Sequence, residues 1–275
     1  MSSGDNISPT AHYTGEVWRR AGLSHPWLGT PEGRVMVEAL HPLMAVSGAL
    51  GGPNLESYLL ARHRAIDALL TEAVERDGIT QVIEVAAGMS ARGWRFANRY
   101  GERLTYVEAD LPAMAARKRA ALARIGSLSE RHRLVELDAL RPSGPGSLAE
   151  LAGELEPRSG TAIITEGLLG YLPTETVLRL WTRFADVLTT FPVGRYISDL
   201  ALGSIQTPAV RFFRAFLGAF VRGHVYLHFD DAADAEAALR NAGFAHAWVR
   251  PAASIVDLTG AQRRSTAHIL EASTT

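Results

Sequence analysis

Between residues 81 and 198 the chain alternates short runs rich in Val, Ile and Tyr with amphipathic stretches of helical length. The runs 81–86, 104–109, 133–137, 161–165 and 195–198 predict strands. The intervening segments 91–100, 112–125, 147–155 and 175–188 predict helices. Crossovers of this kind bring successive strands parallel, so the pattern predicts an α/β fold with a doubly wound, mostly parallel sheet.

Upstream, Leu59, Ile66, Leu69 and Leu70 recur at helical spacing over residues 55–76, and Gly78 stops the helix. Residues 1–55 are punctuated by Gly and Pro and carry His12, Trp18, His25, Trp27 and His41. Short helices and loops are expected there, forming an N-terminal helical cap. Beyond Asp199 the rhythm breaks. Thr207-Pro208 opens a helix with Phe212, Phe213, Phe216 and Phe220, interleaved with Arg211, Arg214 and Arg222. This helical insertion reads either as an apolar wall for a ligand or as an amphipathic helix buried in the core or a dimer interface. A helix over 232–241, stopped by Gly243, and strands over 244–249 and 267–271 complete the reading. The expected organisation is one domain over 1–275: cap 1–55, core 56–202, insertion 203–231, and the rest of the core 232–275.

Composition narrows the function. There is no cysteine, which removes disulfides, thiolate metal sites and cysteine nucleophiles. Net charge is −1 and the pI about 6.8, so no overall field favours nucleic acid or an anionic membrane. With 47% apolar and 21% charged residues the chain is not of the disordered class. The start Met1-Ser2-Ser3-Gly4-Asp5 lacks a basic, apolar leader, and no apolar run reaches the ~20 residues of a membrane helix. A soluble, cytoplasmic protein is expected, with a homodimer left open.

Acids punctuate the strand ends: Asp110, Asp138, Glu166 and Asp199. Ligands of open α/β sheets sit outside the carboxyl ends of the strands, so these acids suggest a ligand with hydroxyls and a cationic group. The alternative is helix capping, as for Asp110 ahead of Leu111-Pro112. Glu84 lies inside the first strand, where a carboxylate is costly unless hydrogen-bonded. The turn Ala86-Ala87-Gly88-Met89-Ser90 follows. Gly88 lets backbone approach a ligand, and the next helix points its N–H groups outward. Only one glycine of a dinucleotide fingerprint is present. Arg62 falls on the apolar stripe of its helix. Its guanidinium either meets a carboxylate or phosphate or snorkels to water. The single lysine, Lys118, aligns with Met114, Leu122 and Ile125 and carries the same two readings.

Three stretches, Ile83-Glu-Val-Ala-Ala-Gly-Met-Ser-Ala-Arg-Gly-Trp94, Tyr106-Val-Glu-Ala-Asp-Leu-Pro112 and Thr165-Glu-Gly-Leu-Leu-Gly-Tyr-Leu-Pro173, occur in this order, each at a predicted strand end. Together they resemble the leucine carboxyl methyltransferase family, and more closely its bacterial branch of polyketide-type O-methyltransferases. The likeness runs from about Tyr58 to Asp199. It implies a Rossmann-like class I methyltransferase using S-adenosyl-L-methionine (SAM). On that resemblance Arg62 would bind the methionine carboxylate, and Gly88 would pass beneath the methionine. Asp110 would accept from the ribose hydroxyls, Asp138 with backbone of Ala139 would meet the adenine, and Glu166 would hold the ammonium. Glu84 joins this cofactor-binding set. Asp110 lies about 20 residues beyond Gly88, the spacing of ribose acids in nucleotide-binding sheets. The chain departs from many relatives at Ser90, where they carry an acid, and at Ala86-Ala87, where a glycine is common.

The expected acceptor is a small metabolite, with methyl transfer to a polyketide-like carboxyl or hydroxyl oxygen. An ionised carboxylate needs no base, whereas a hydroxyl benefits from one. Candidate catalytic residues are His228, His224 and Tyr171, with His12 and His63 as further histidines. His224 and His228 have no third ligand at helpful spacing, so no metal site is expected. The alternatives are an NAD(P)-dependent oxidoreductase, which calls for a fuller glycine fingerprint, and a SAM-binding protein without transfer activity.

Overall fold

A computed structural model describes residues 9–49, 55–204 and 225–275. Apolar, β-branched runs become strands wherever helices cover both faces. They are β1 (Ile79–Val85), β2 (Thr105–Asp110), β3 (His132–Glu136), β4 (Gly160–Thr165), β5 (Gly194–Leu200), β6 (His246–Pro251) and β7 (His268–Ser273). Their order in the sheet is β3-β2-β1-β4-β5-β7-β6. β1 to β5 are mutually parallel, and β7 runs antiparallel to β5 and β6. This is the doubly wound sheet that the sequence predicts. Central β4 is buried along its whole length, while edge strand β6 alternates buried and exposed residues, as a half-covered strand should.

The helices are α1 (Pro9–Arg20), α2 (Pro31–Ala49), α3 (Leu55–Arg76), α4 (Arg92–Tyr100), α5 (Pro112–Ile125), α6 (Leu148–Gly153), α7 (Thr174–Leu188) and α8 (Ala232–Asn241); α1 and α2 pack on each other and on α3. One face of the sheet packs Trp181, Phe184, Tyr196 and Phe244 into a core beneath α7 and α8. The other packs Ile66, Leu70, Phe96, Tyr106 and Ile197 beneath α3 and α4.

The N-terminal region differs from the short pieces expected. It holds two substantial helices, and α2 runs through Gly33 and Pro42 despite their poor helix propensity. Gly33 has a packing reason: a Cβ there would overlap the His12 carbonyl, so its absence lets α1 and α2 approach. The Phe-rich stretch Phe212, Phe213, Phe216 and Phe220, with Arg211, Arg214, Arg222 and His224, lies outside the described residues. Chain order reverses between β1 and β4, and a crevice outside their carboxyl ends is where such sheets bind ligands. No helix among the described residues is long and apolar enough to cross a membrane.

Candidate active site

The crevice is built from the turns after β1, β2 and β4 and from the end of β5. After β1 the chain turns sharply through Ala86 (φ 55°) and Gly88 (φ 50°). The Gly88 N–H donates to Asp110 Oδ2 at 2.7 Å, and Asp110 Oδ1 accepts from the Leu111 N–H at 2.8 Å. Asp110 therefore ties two strand-end turns together. It is not the cap of α5, whose N-cap is Leu111 with Pro112 following. Burial raises the Asp110 pKa, only partly offset by the two N–H groups and by Lys118. Among the described residues, a Cβ on Gly88 would meet only Ala11 Cβ, 3.8 Å away.

Across the crevice, Glu166 follows β4 and Asp199 closes β5. Arg62, from α3, bridges them: Nε donates to Glu166 Oε1 at 3.0 Å and a terminal nitrogen to Asp199 Oδ2 at 3.0 Å. Its guanidinium is buried, not snorkelled, and lies 5.8 Å from the Tyr58 ring centroid. The other Asp199 oxygen accepts from the Gly167 N–H at 2.7 Å. Gly167 is in the left-handed region (φ 69°), and a Cβ there would sit 3.0 Å from the Arg62 guanidinium. Both geometry and space thus require glycine beside this arginine. Burial alone would raise the Glu166 pKa, but His63, Arg92 and Arg62 outweigh it and hold the carboxyl well below its ordinary range.

Beneath this edge lies a buried ionic network that the sequence reading missed. Arg92, the first residue of α4, donates to Asp67 Oδ1 at 2.7 Å, Glu84 Oε1 at 2.6 Å and Glu166 Oε2 at 2.6 Å. His63 Nδ1 lies 2.8 Å from Glu166 Oε2, and Arg95 donates to Asp67 Oδ2 at 2.6 Å. The expectation for Glu84 is corrected here. Its second oxygen accepts from the Tyr106 hydroxyl at 2.8 Å, so both oxygens face inward partners and the residue is buried away from the crevice. The sequence did hold a signal: a carboxylate inside a parallel strand demands a cation, and Arg92 opens the next helix. Lys118 serves a parallel purpose. It is fully buried, pairs with Glu108, and donates to the Ala87 carbonyl at 3.2 Å, bracing the turn that carries Gly88.

Asp138 and Ala139 follow β3. Asp138 Oδ1 accepts from the Leu140 N–H at 2.9 Å, and the Ala139 carbonyl accepts from Arg183 at 3.2 Å. Of the candidate catalytic residues, Tyr171 and His228 are among the described residues and His224 is not. The Tyr171 hydroxyl is 2.9 Å from Thr10 Oγ1 of α1. His228 is hydrogen-bonded through both nitrogens: Nε2 donates to the Leu169 carbonyl (3.0 Å), leaving Nδ1 to accept from the Thr174 hydroxyl (3.0 Å). Burial lowers its pKa, partly countered by the Leu169 bond. Helix α1 reaches these elements, with Thr10 on Tyr171 and Trp18 on His63 at 4.5 Å between ring centroids.

The fold and its switch-point crevice define a Rossmann-like α/β protein with a ligand edge lined by acids and one arginine. The sequence profile described as "Leucine carboxyl methyltransferase" matches residues 35–185, more than half of the chain. The chain therefore belongs to the leucine carboxyl methyltransferase family. A protein of Mycolicibacterium gilvum (strain PYR-GCK) is 37% identical over 131 residues, 48% of this chain and 41% of that protein. A protein of Mycobacterium avium (strain 104) is 39% identical over 164 residues, 59% of this chain and 49% of that protein. Each is described as a "putative S-adenosyl-L-methionine-dependent methyltransferase". The match to this chain thus spans less than half the length of these relatives. Among solved structures, a "putative methyltransferase" from Thermobifida fusca YX superposes with a TM-score of 0.66, covering 96% of this chain and 94% of its own. Its sequence identity is 14%, so that likeness is one of fold alone.

Proposed function

We propose that the protein is a SAM-dependent methyltransferase that esterifies a carboxylate oxygen on a small, polyketide-like metabolite. The observation that carries this reading is the placement of Arg62, Glu166 and Asp199 together on one side of the crevice, with Asp110 and Gly88 on the other. That donor set matches a ligand bearing a carboxylate, an ammonium and a ribose. Among the described residues Glu166 Oε1 and both Asp110 oxygens each hold one N–H, which leaves each lone-pair capacity for a ligand. Among those residues only Ala11 comes near a Cβ built on Gly88, which suits a chain passing over the turn. SAM, when bound, supplies a methyl group on a sulfonium, already activated for in-line displacement.

The residues then divide the work. Arg62 binds the carboxylate, Glu166 the ammonium, and Asp110 the ribose hydroxyls. Asp138 and Ala139, at the end of β3, stand on the adenine side. α1 and the segment carrying Tyr171 exclude water and orient the acceptor, which is the main task left to the protein. His63 and His228, among the described residues, are committed to protein partners, which supports a carboxylate acceptor over a hydroxyl; the candidate His224 lies outside the described residues. Neither His63 nor His228 is free to take a proton from a substrate alcohol.

The test is calorimetric titration with SAM, its demethylated product and NADPH, followed by transfer of a labelled methyl group to a panel of carboxylic acids. SAM binding and alkali-labile label support the reading. NADPH binding without SAM binding overturns it, and label stable to alkali overturns the choice of a carboxylate.

A further inference from the structure

Arg92 has no exposed surface and does not line the open crevice, yet it joins three separate elements. Its partners are Asp67 on α3, Glu84 on β1 and Glu166 after β4. Buried ion pairs of this kind are poor sources of net stability, because desolvation offsets the attraction. A well-packed apolar group would serve the core as well. What the network does provide is direction. Arg92 and His63 occupy Glu166 Oε2 at 2.6 and 2.8 Å, which fixes the carboxylate plane. Among the described residues, Oε1 accepts only the bond from Arg62. Arg92 is itself held by Glu84, which Tyr106 anchors at 2.8 Å, and by Asp67, which Arg95 anchors at 2.6 Å.

We infer that Arg92 is a positioning residue that aims the Glu166 carboxylate at the ligand's ammonium, with Glu84 and Asp67 aiming Arg92 in turn. The inference rests on the donor reading above. Without Arg92, Glu166 Oε2 loses its guanidinium partner and the carboxylate turns onto Arg62. The amino-acid end of the ligand then loses its ammonium acceptor and has to compete for its carboxylate partner. The adenosine end, bound through Asp110 on the far side of the crevice, is untouched.

Two probes separate the ends. S-adenosylhomocysteine carries the amino acid, whereas 5′-deoxy-5′-methylthioadenosine keeps the adenosine and thioether without it. Calorimetry on the full chain should show Arg92→Lys and Arg92→Met weakening S-adenosylhomocysteine by about tenfold or more, with the nucleoside thioether nearly unchanged. In a Glu166→Gln background the further loss from Arg92→Lys should vanish, because the pair is coupled. Equal weakening of both probes, or full additivity with Glu166→Gln, would overturn the inference and leave Arg92 a structural residue. Failure of the unaltered protein to bind either probe would overturn the donor reading itself, a distinguishable result. If neither Arg92 variant folds, Glu84→Gln, which removes one anchor of Arg92, carries the same comparison: a selective loss supports the inference and an equal loss refutes it.

Discussion

Replacing Gly93 by alanine sets helix propensity directly against packing. Gly93 is the second residue of α4, where alanine would ordinarily gain up to about 1 kcal/mol. Here a Cβ would lie 2.7 Å from Glu108 Cδ and 2.8 Å from Cγ, and closer still to Oε1. Glu108 has little room to yield. It is fully buried on β2, with Oε1 2.6 Å from His132 Nε2 and its other oxygen paired with Lys118. Overpacking of this kind costs about 1–3 kcal/mol, and loosening one charge-assisted hydrogen bond about 1.5–3 kcal/mol more. Set against the helix gain, Gly93→Ala should destabilise by about 2–5 kcal/mol, a fall in Tm of roughly 3–9 °C for a chain of this length. Thermal and urea unfolding followed by circular dichroism measure it. Gly153→Ala, where a Cβ meets nothing within 4 Å, is the control and should be neutral or stabilising. A Tm for Gly93→Ala equal to or above that of the unaltered protein would refute the reasoning.

The site gives further expectations. Asp110→Ala should weaken SAM binding by about tenfold or more while the circular dichroism spectrum is retained; unchanged calorimetric affinity would remove Asp110 from the site. Because burial raises the Asp110 pKa, protonation should begin above the usual aspartate range, and affinity for SAM should decline as pH falls toward it. A pH-independent affinity down to ordinary carboxylate values would contradict that. Glu166 and Asp67 have the opposite sign. Their folded pKa values are depressed, so their contribution to stability is complete above the ordinary carboxylate range and is lost as pH falls through the depressed values. Urea unfolding at a series of acid pH values should therefore show a shallower loss for Glu166→Gln than for the unaltered chain. Finally, Ala86 holds φ 55° without being glycine, so Ala86→Gly should stabilise by about 1 kcal/mol; a lowered Tm would show that its methyl group packs usefully.

The sheet was legible because its strands carry a period and a composition that helices do not. The predicted strand at 161–165 corresponds to Gly160–Thr165, and the helix at 112–125 to Pro112–Ile125. The N-terminal helices were not legible, since Gly33 and Pro42 read as breakers, and the place for Gly33 is set by the close approach of α1 and α2. Likewise Arg62, Asp110 and Glu166 could be singled out, because inward charge and strand-end acids leave local marks. For Arg92 the one local mark was Glu84, a strand carboxylate in need of a cation; its other partners, Asp67 and Glu166, are scattered along the chain and meet it only in the fold. Glu84 showed the reverse limit: the sequence marked a buried carboxylate, but only the structure shows that its two oxygens pair with Arg92 and Tyr106.

The most direct measurement is a calorimetric titration of the purified protein with SAM, repeated with Glu166→Gln. If Arg62, Glu166 and Asp110 form the donor site, the unaltered protein binds SAM saturably and the variant binds it more weakly by about tenfold, both remaining folded. Binding of NADPH in place of SAM, or equal SAM affinity in the two proteins, would contradict the assignment of this crevice.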